Sequence, residues 1–194
     1  MRTKVTLALI FLNVALFFFI FKFERDWIVK EQSIETRRRV FGPEASNIRT
    51  LTITHHAGGG TVSLSRQRDT WSLEKPFGWP ANQHAASAMA NELHSLEHLA
   101  TFSVADAEKN KQPISDYGLD KPRLTVDFTS GDATLPESTP RATTRFLVGD
   151  TTPDQRRLYV LSPDGQRVYV VNRNLLDILS TPAEQLRDNT LLTI

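Results

Sequence analysis

Cysteine is absent from the 194-residue chain. That removes disulfides, thiol nucleophiles, thiolate zinc sites and lipid attachment to an N-terminal cysteine. It does not decide the redox compartment, because an extracytoplasmic domain can fold without bridges. An excess of either charge is absent too: 23 Lys and Arg stand against 22 Asp and Glu. No global field draws in a polyanion, so nucleic acid is not an expected partner. A glycine-rich stretch follows two histidines at His55, His56 and AGGG (57–60), but neither a G-x-S-x-G elbow nor a Walker-type lysine accompanies it. It reads as a hairpin tip rather than an oxyanion loop or phosphate cradle.

What is present begins with VTLALIFLNVALFFFIF, residues 5–21, uncharged and with Thr6 and Asn13 as its polar side chains. At about 1.5 Å per residue this run covers about 25 Å of a hydrocarbon core near 30 Å, and snorkelling by Arg2, Lys4, Lys22 and Arg25 closes the gap. Phe17 to Phe21 lead straight into Lys22 without a small-residue cleavage site, so the expectation is an uncleaved transmembrane anchor over 1–22 that meets membrane lipid through residues 5–21. Counting Lys and Arg alone favours an inside C terminus, since Arg37, Arg38 and Arg39 add to the far side. The very short basic tail before the run is instead that of an N-in signal anchor, and the C-terminal part is expected outside.

Residues 23–43 are polar with scattered apolar positions until Gly42-Pro43, and are expected to form a stalk. A single domain is expected over 44–194. Leu51 and Ile53 alternate with threonines, as do Val62 and Leu64 with Thr61, Ser63 and Ser65; with Trp71 and Leu73 they predict three strands. Ala86, Met89, Leu93, Leu96 and Ala100 fall at steps of three and four, predicting an amphipathic helix over 82–100 that lies on the sheet. Further strands are expected at 124–128, 145–149, 156–162 and 167–172. Ser162-Pro163-Asp164-Gly165 supplies the last hairpin turn. TSGDATLPESTPRATT, 129–144, is too polar and too rich in Pro, Ser and Thr to pack and is expected to be a long mobile loop. Leu175 to Leu179 predict a short helix, and Thr181 with Glu184 a capping box opening a last one through 185–187. The fold class expected is α+β: an N-terminal transmembrane helix and stalk, then one antiparallel-sheet domain with an amphipathic helix packed on it.

HSLEH, residues 94–98, spells the inverted zinc-protease pattern in which His94 and His98 bind metal and Glu97 acts as base. On a continuous helix both histidines project away from the apolar stripe, where a zinc site needs a covering element and a third ligand. The match is read as accidental, with no catalytic, metal or cofactor-binding residue assigned and no cofactor expected.

The succession W-x-L-x-x-P at Trp71 to Pro76, amphipathic helix, Y-G-L-D-x-P at Tyr117 to Pro122, V-G at Val148-Gly149 and L-R-D at Leu186 to Asp188 resembles a bacterial family. It is similar to the membrane-anchored domain of unknown function found among accessory components of gliding-motility-type ABC transport systems. The resemblance covers residues 44–194 and implies an N-terminal anchor, an extracytoplasmic α+β domain and no assigned chemistry. The localisation it implies is the bacterial inner membrane, single-pass, with a periplasmic C-terminal domain. The leading expectation is therefore a non-enzymatic, membrane-anchored interaction module with a protein partner in a transport or envelope complex. Two others stand beside it: an envelope-ligand-binding domain with a cleft near Trp79, Tyr117 and the 129–144 loop, and a zinc-dependent hydrolase using HSLEH, which the helix geometry disfavours.

Overall fold

The computed structural model describes residues 38–131 and 142–189. β1 (Ile48–His55) buries Leu51 and Ile53 and turns Thr50, Thr52 and Thr54 to the other face, the alternation that a pleated strand imposes. β2 (Gly60–Gln67), β3 (Thr70–Lys75) and the two-residue β4 (Trp79–Pro80) follow outward from it as a meander. On its other side β1 pairs with β6 (Leu124–Ser130), from which β7 (Thr143–Thr151), β8 (Arg157–Leu161) and β9 (Arg167–Asn172) run outward in the opposite direction. β5 (His98–Ser103) joins β9 at the far edge, completing a nine-stranded sheet in the order β4-β3-β2-β1-β6-β7-β8-β9-β5.

This order is close to a palindrome about the β1/β6 pair. Leu51-Thr52-Ile53 in β1 matches Leu124-Thr125-Val126 in β6, and the register sets Ile53 opposite Val126, with Leu51 opposite Phe128 and His55 opposite Leu124. Each meander of four strands ends in a helix: α1 (Gln83–His94) after β4, and, skipping the six-residue α2 (Val104–Lys109) that follows β5, α3 (Asn174–Leu179) after β9. The segment after each helix then crosses to the opposite half. β5 adds to β9, and Arg187 bridges to Ala81 beside β4.

α1 and α3 lie on one face and pack against each other. Asn82 caps α1 by accepting hydrogen bonds from the His84 and Ala85 amides. Ala86, Met89 and Leu93 of α1 join Leu175 and Leu179 of α3 in a single core with Leu51, Ile53, Val126 and Phe146. Phe41 closes this core, its ring centroid 5.3 Å from that of Phe128 and 4.9 Å from that of Phe146. Val40 and Phe41, at the end of the segment read as stalk, are thus part of the core. On the opposite face a smaller layer buries Ala107, Leu119, Val168 and Val170 outside that cluster.

Two hairpin turns repeat one hydrogen-bond pattern. In Thr152-Pro153-Asp154, Thr152 Oγ1 donates to Asp154 and the Arg156 amide donates to the same carboxylate, while the Arg157 amide donates to Thr152 Oγ1. In Ser162-Pro163-Asp164 the donors are Ser162 Oγ, the Gln166 amide and the Arg167 amide. Both turns close through a residue of positive φ, Gln155 at 57° and Gly165 at 70°. The threonine and serine hydroxyls, then the amides, hold both carboxyls below the ordinary carboxylate range.

The expected class is corrected by these findings. The described architecture is a nine-stranded antiparallel sheet with few, short helices, and among the described residues no helix is long and apolar enough to cross a membrane. Residues 5–21, on which the span was read, and residues 23–37 of the stalk lie outside the described residues. The helix expected over 82–100 ends at His94, because Ser95 leaves helical geometry and its hydroxyl bonds the Asn91 carbonyl. Leu96 stays in the core, but Ala100 is an exposed position of β5. The loop expected over 129–144 begins and ends as strand, Thr129 pairing with Thr143; residues 132–141 lie outside the described residues. The expected helix through 185–187 is absent, since Thr181 Oγ1 bonds back to the Ile178 carbonyl instead of capping forward and Arg187 forms the bridge to Ala81.

Two outcomes are expected. Phe41→Ala should lower the free energy of unfolding by about 3–5 kcal/mol, read by denaturant melts, and a fragment beginning at Glu44 should be less stable than one beginning at Arg38. The depressed carboxyls of Asp154 and Asp164 contribute stability that is present above the unfolded carboxylate pKa of about 3.9 and is lost as pH falls through their lower folded values. Asp154→Asn with Asp164→Asn should therefore flatten the decline of the melting temperature below about pH 4.

Candidate functional site

One end of the sheet gathers the residues that sequence reasoning placed near chemistry. The β1–β2 tip carries His55 and His56, with Gly58 at φ 93° and Gly60 at φ 73°. The corner before β6 reaches it through the His56 amide, which donates to the Arg123 carbonyl at 3.0 Å. Ser180 to Glu184, after α3, line a 330 Å³ depression together with His55, Gly59 and Pro76. Burial lowers the pKa of His55 from the ordinary imidazole value, which favours the uncharged ring. The His56 Nε2 lies 2.8 Å from Thr125 Oγ1, and Arg123 donates through Nε to Asp150 at 2.9 Å. The nearby hydroxyl of Thr181 is occupied by the Ile178 carbonyl. His56, Arg123 and Thr181 thus bond to Thr125, Asp150 and the Ile178 carbonyl, and Thr125 against His56 is a hydroxyl set beside an imidazole.

The pieces of the sequence pattern meet one another. Gly118 adopts φ 66°, the left-handed conformation that favours glycine, and the Tyr117 carbonyl presses on Gly149, where a Cβ would collide with it and sit 2.9 Å from Leu119. Y-G-L-D and V-G are therefore two sides of one contact. Tyr117 also packs against a tilted Phe102 ring and edge-to-face with Tyr159, at 5.1 and 4.8 Å, and its hydroxyl pKa is raised, first by burial and then by Tyr159 and Asp116. At the other edge the Trp71 amide donates to Gln83 Oε1 at 2.7 Å, and Gln83 Nε2 donates back to the Trp71 carbonyl at 2.9 Å. L-R-D seals the same edge: the Asn82 amide donates to the Leu186 carbonyl, the Asp188 amide to the Pro80 carbonyl, and Trp79 Nε1 to the Asp188 carbonyl. Trp79 and Tyr117, expected around one cleft, belong to opposite ends of the strand order.

HSLEH is not on one helix. His94 is the last residue of α1, its Nδ1 3.2 Å from the Ala45 carbonyl. Glu97 bridges to Arg39, and His98 opens β5 with its ring 5.4 Å from that of Tyr169. Among the described residues no three His, Asp or Glu side chains are grouped as metal ligands.

The feature sequence reasoning missed is the outer edge of β5. The Val104 amide donates to the Gln166 carbonyl, and the Ser162 amide to the Arg167 carbonyl. Position 167 thus faces β8, and its partner Ser103 faces away from β9. Alternation along an antiparallel ladder then points the amide and carbonyl of Thr101 outward. Among the described residues β5 has no strand beyond it. Leu99, beside Thr101, is an exposed large hydrophobic side chain, at 61%. No local signal marks an edge strand, because edges are set by strand order.

Residues 71–194 match the family described as a domain of unknown function, DUF4340. The match covers well over half of the chain, and the chain belongs to that family. No curated protein and no solved structure matches it. The matched stretch opens at Trp71, on β3, and takes in the sealed edge, the corner and the open edge together.

The collision at position 149 gives a direct test. Gly149→Ala should cost about 1–3 kcal/mol by forcing the corner away from β7, whereas Gly78→Ala, which would meet nothing within 4 Å, should leave the melting temperature nearly unchanged.

Proposed function

We propose that the chain is a non-enzymatic interaction module, an accessory component of an ABC-type transport or envelope assembly, and that it holds its protein partner at the outer edge of β5. One observation carries this reading: the two edges of the sheet are treated differently. The β3/β4 edge is closed by Gln83, Leu186 and Asp188. Among the described residues the β5 edge is paired at its start by the Arg39–Glu97 bridge and bulged between His98 and Ala100, but beyond these it has an outward backbone at Thr101, an exposed Leu99 and no charged residue from His98 to Ser103. Edge strands left open are templates for another strand, and proteins that do not use them blunt them with Lys, Pro or covering segments. Strand addition supplies affinity through main-chain hydrogen bonds and selectivity through alternate side chains.

Thr101→Pro removes an outward amide without breaking the β5–β9 ladder. The full-length variant should keep the wild-type melting temperature and lose the proteins that co-purify with the tagged wild type. An unchanged set of co-purifying proteins would refute the reading.

A further inference from the structure

We propose that Arg49 and Arg66 form a binding site for a phosphoryl dianion, carried by a free phosphate monoester or by a lipid headgroup. The site lies on the β1–β3 half of the sheet and stands independently of the reading of the β5 edge. Arg49 is the extra residue where β1 bulges against β6, since Ile48 pairs with Ser130 and Thr50 with Thr129; a bulge re-aims a side chain. Here it sends the Arg49 guanidinium to the β2–β3 turn, where Nη1 donates to the Arg68 carbonyl at 3.0 Å. Arg66 arrives at the same turn from β2, its Nη2 3.1 Å from Asp69 Oδ1. Gln67 pairs with Thr70, so Arg68 and Asp69 are the two turn residues and both guanidinium groups converge on them.

This convergence of like charges is poorly compensated. Like charges set beside each other on neighbouring strands are destabilising, and Asp69, the carboxylate that faces the pair, has a side chain 96% exposed, where water screens it. A guanidinium carries several N–H donors. Among the described residues Arg49 has one acceptor and Arg66 has one, while Nε of each is buried without any. Both groups are nevertheless held in place. Arg66 lies over the Trp71 ring at 5.8 Å, and the Arg49 stem rests on Gly131, where a Cβ would come within 2.7 Å of Cγ and 2.8 Å of Nε. Two fixed, under-used guanidinium forks suit an oxyanion that offers several acceptor oxygens at once. Charge narrows the class. Arg49, Arg66 and Arg68 against Asp69 leave a net charge of 3 − 1 = +2 at the turn, which matches a phosphate monoester, at about −1.5 to −2 near pH 7, better than a singly charged carboxylate or phosphodiester.

The test uses full-length chain in detergent, titrated with inorganic phosphate against sodium chloride of equal ionic strength. The melting temperature should rise saturably with phosphate, and Arg49→Gln with Arg66→Gln should abolish that rise. Asp69→Asn keeps both arginines and removes the competing carboxylate, so it should lower the half-saturating phosphate concentration by about two- to five-fold; arginines with a merely structural role predict no such gain. An equal rise in phosphate and chloride, a rise that survives in the double variant, or weaker phosphate binding by Asp69→Asn would overturn the site. Glycerol 3-phosphate and dioctanoyl phosphatidic acid then tell the two sources apart, because they share the phosphoryl group and differ in the acyl chains. Equal half-saturating concentrations assign a free ester, and a far lower one for the lipid assigns a headgroup.

Discussion

The pairing of β1 with β6 is the constraint on which the rest of the domain depends. It joins two stretches more than 70 residues apart at a register that sets Ile53 against Val126. A slip of one residue would turn Leu51, Ile53, Leu124, Val126 and Phe128 from the core to solvent. The opposite face reinforces the choice, since Thr50 and Thr129 share a 2.6 Å hydrogen bond between hydroxyls. Because both meanders grow outward from this pair, their terminal helices return to the same face, where α1 and α3 pack together over the centre of the sheet. Phe41 then fills the space beside Phe128 and Phe146, so a residue preceding the first strand packs on the second meander.

The residues on which the resemblance was read act mainly as structural contacts. Gly149 allows the Tyr117 carbonyl to approach, and Gly118 lets the chain turn there. Trp71 is buried while its backbone is satisfied by a side-chain amide, which lets β3 end without a long neighbour. Leu186 is fully buried, and the segment that follows it lies alongside β4. A pattern of this kind specifies a fold, and function has to be sought in groups that these contacts leave free.

Much of the sheet was legible because period-two alternation is strong in β1, β2, β6, β8 and β9, where Thr, Ser and Val flank the buried positions. The end of α1 was not, because Leu96 and Ala100 continue a helical stripe by spacing while Ser95 breaks the helix. The turn at Ser162 was legible from its Pro-Asp-Gly sequence. Its counterpart at Thr152 was not, since Gln155 takes the positive φ that usually marks glycine. Phe41 was hidden among polar neighbours. Of the candidate site, the histidine-glycine tip could be placed from sequence, but the fate of HSLEH could not, because its two histidines fall on a helix end and a strand that pack separately.

The near-symmetry of the sheet also explains why its two edges differ. Each half sends its trailing segment across to the other, so both edges receive a covering strand from the same rule of construction. The segment after α3 delivers Leu186 to Asp188, which bond Asn82, Pro80 and Trp79 while leaving only a single bridge, and the chain side of that edge is closed by side chains. The segment after α1 delivers the six-residue β5, long enough to satisfy β9 and to present an edge of its own. Covering one edge with a full strand moves the unpaired backbone one position outward rather than removing it. Among the described residues that edge persists for this topological reason, and the outward amide of Thr101 takes no part in the β5–β9 ladder.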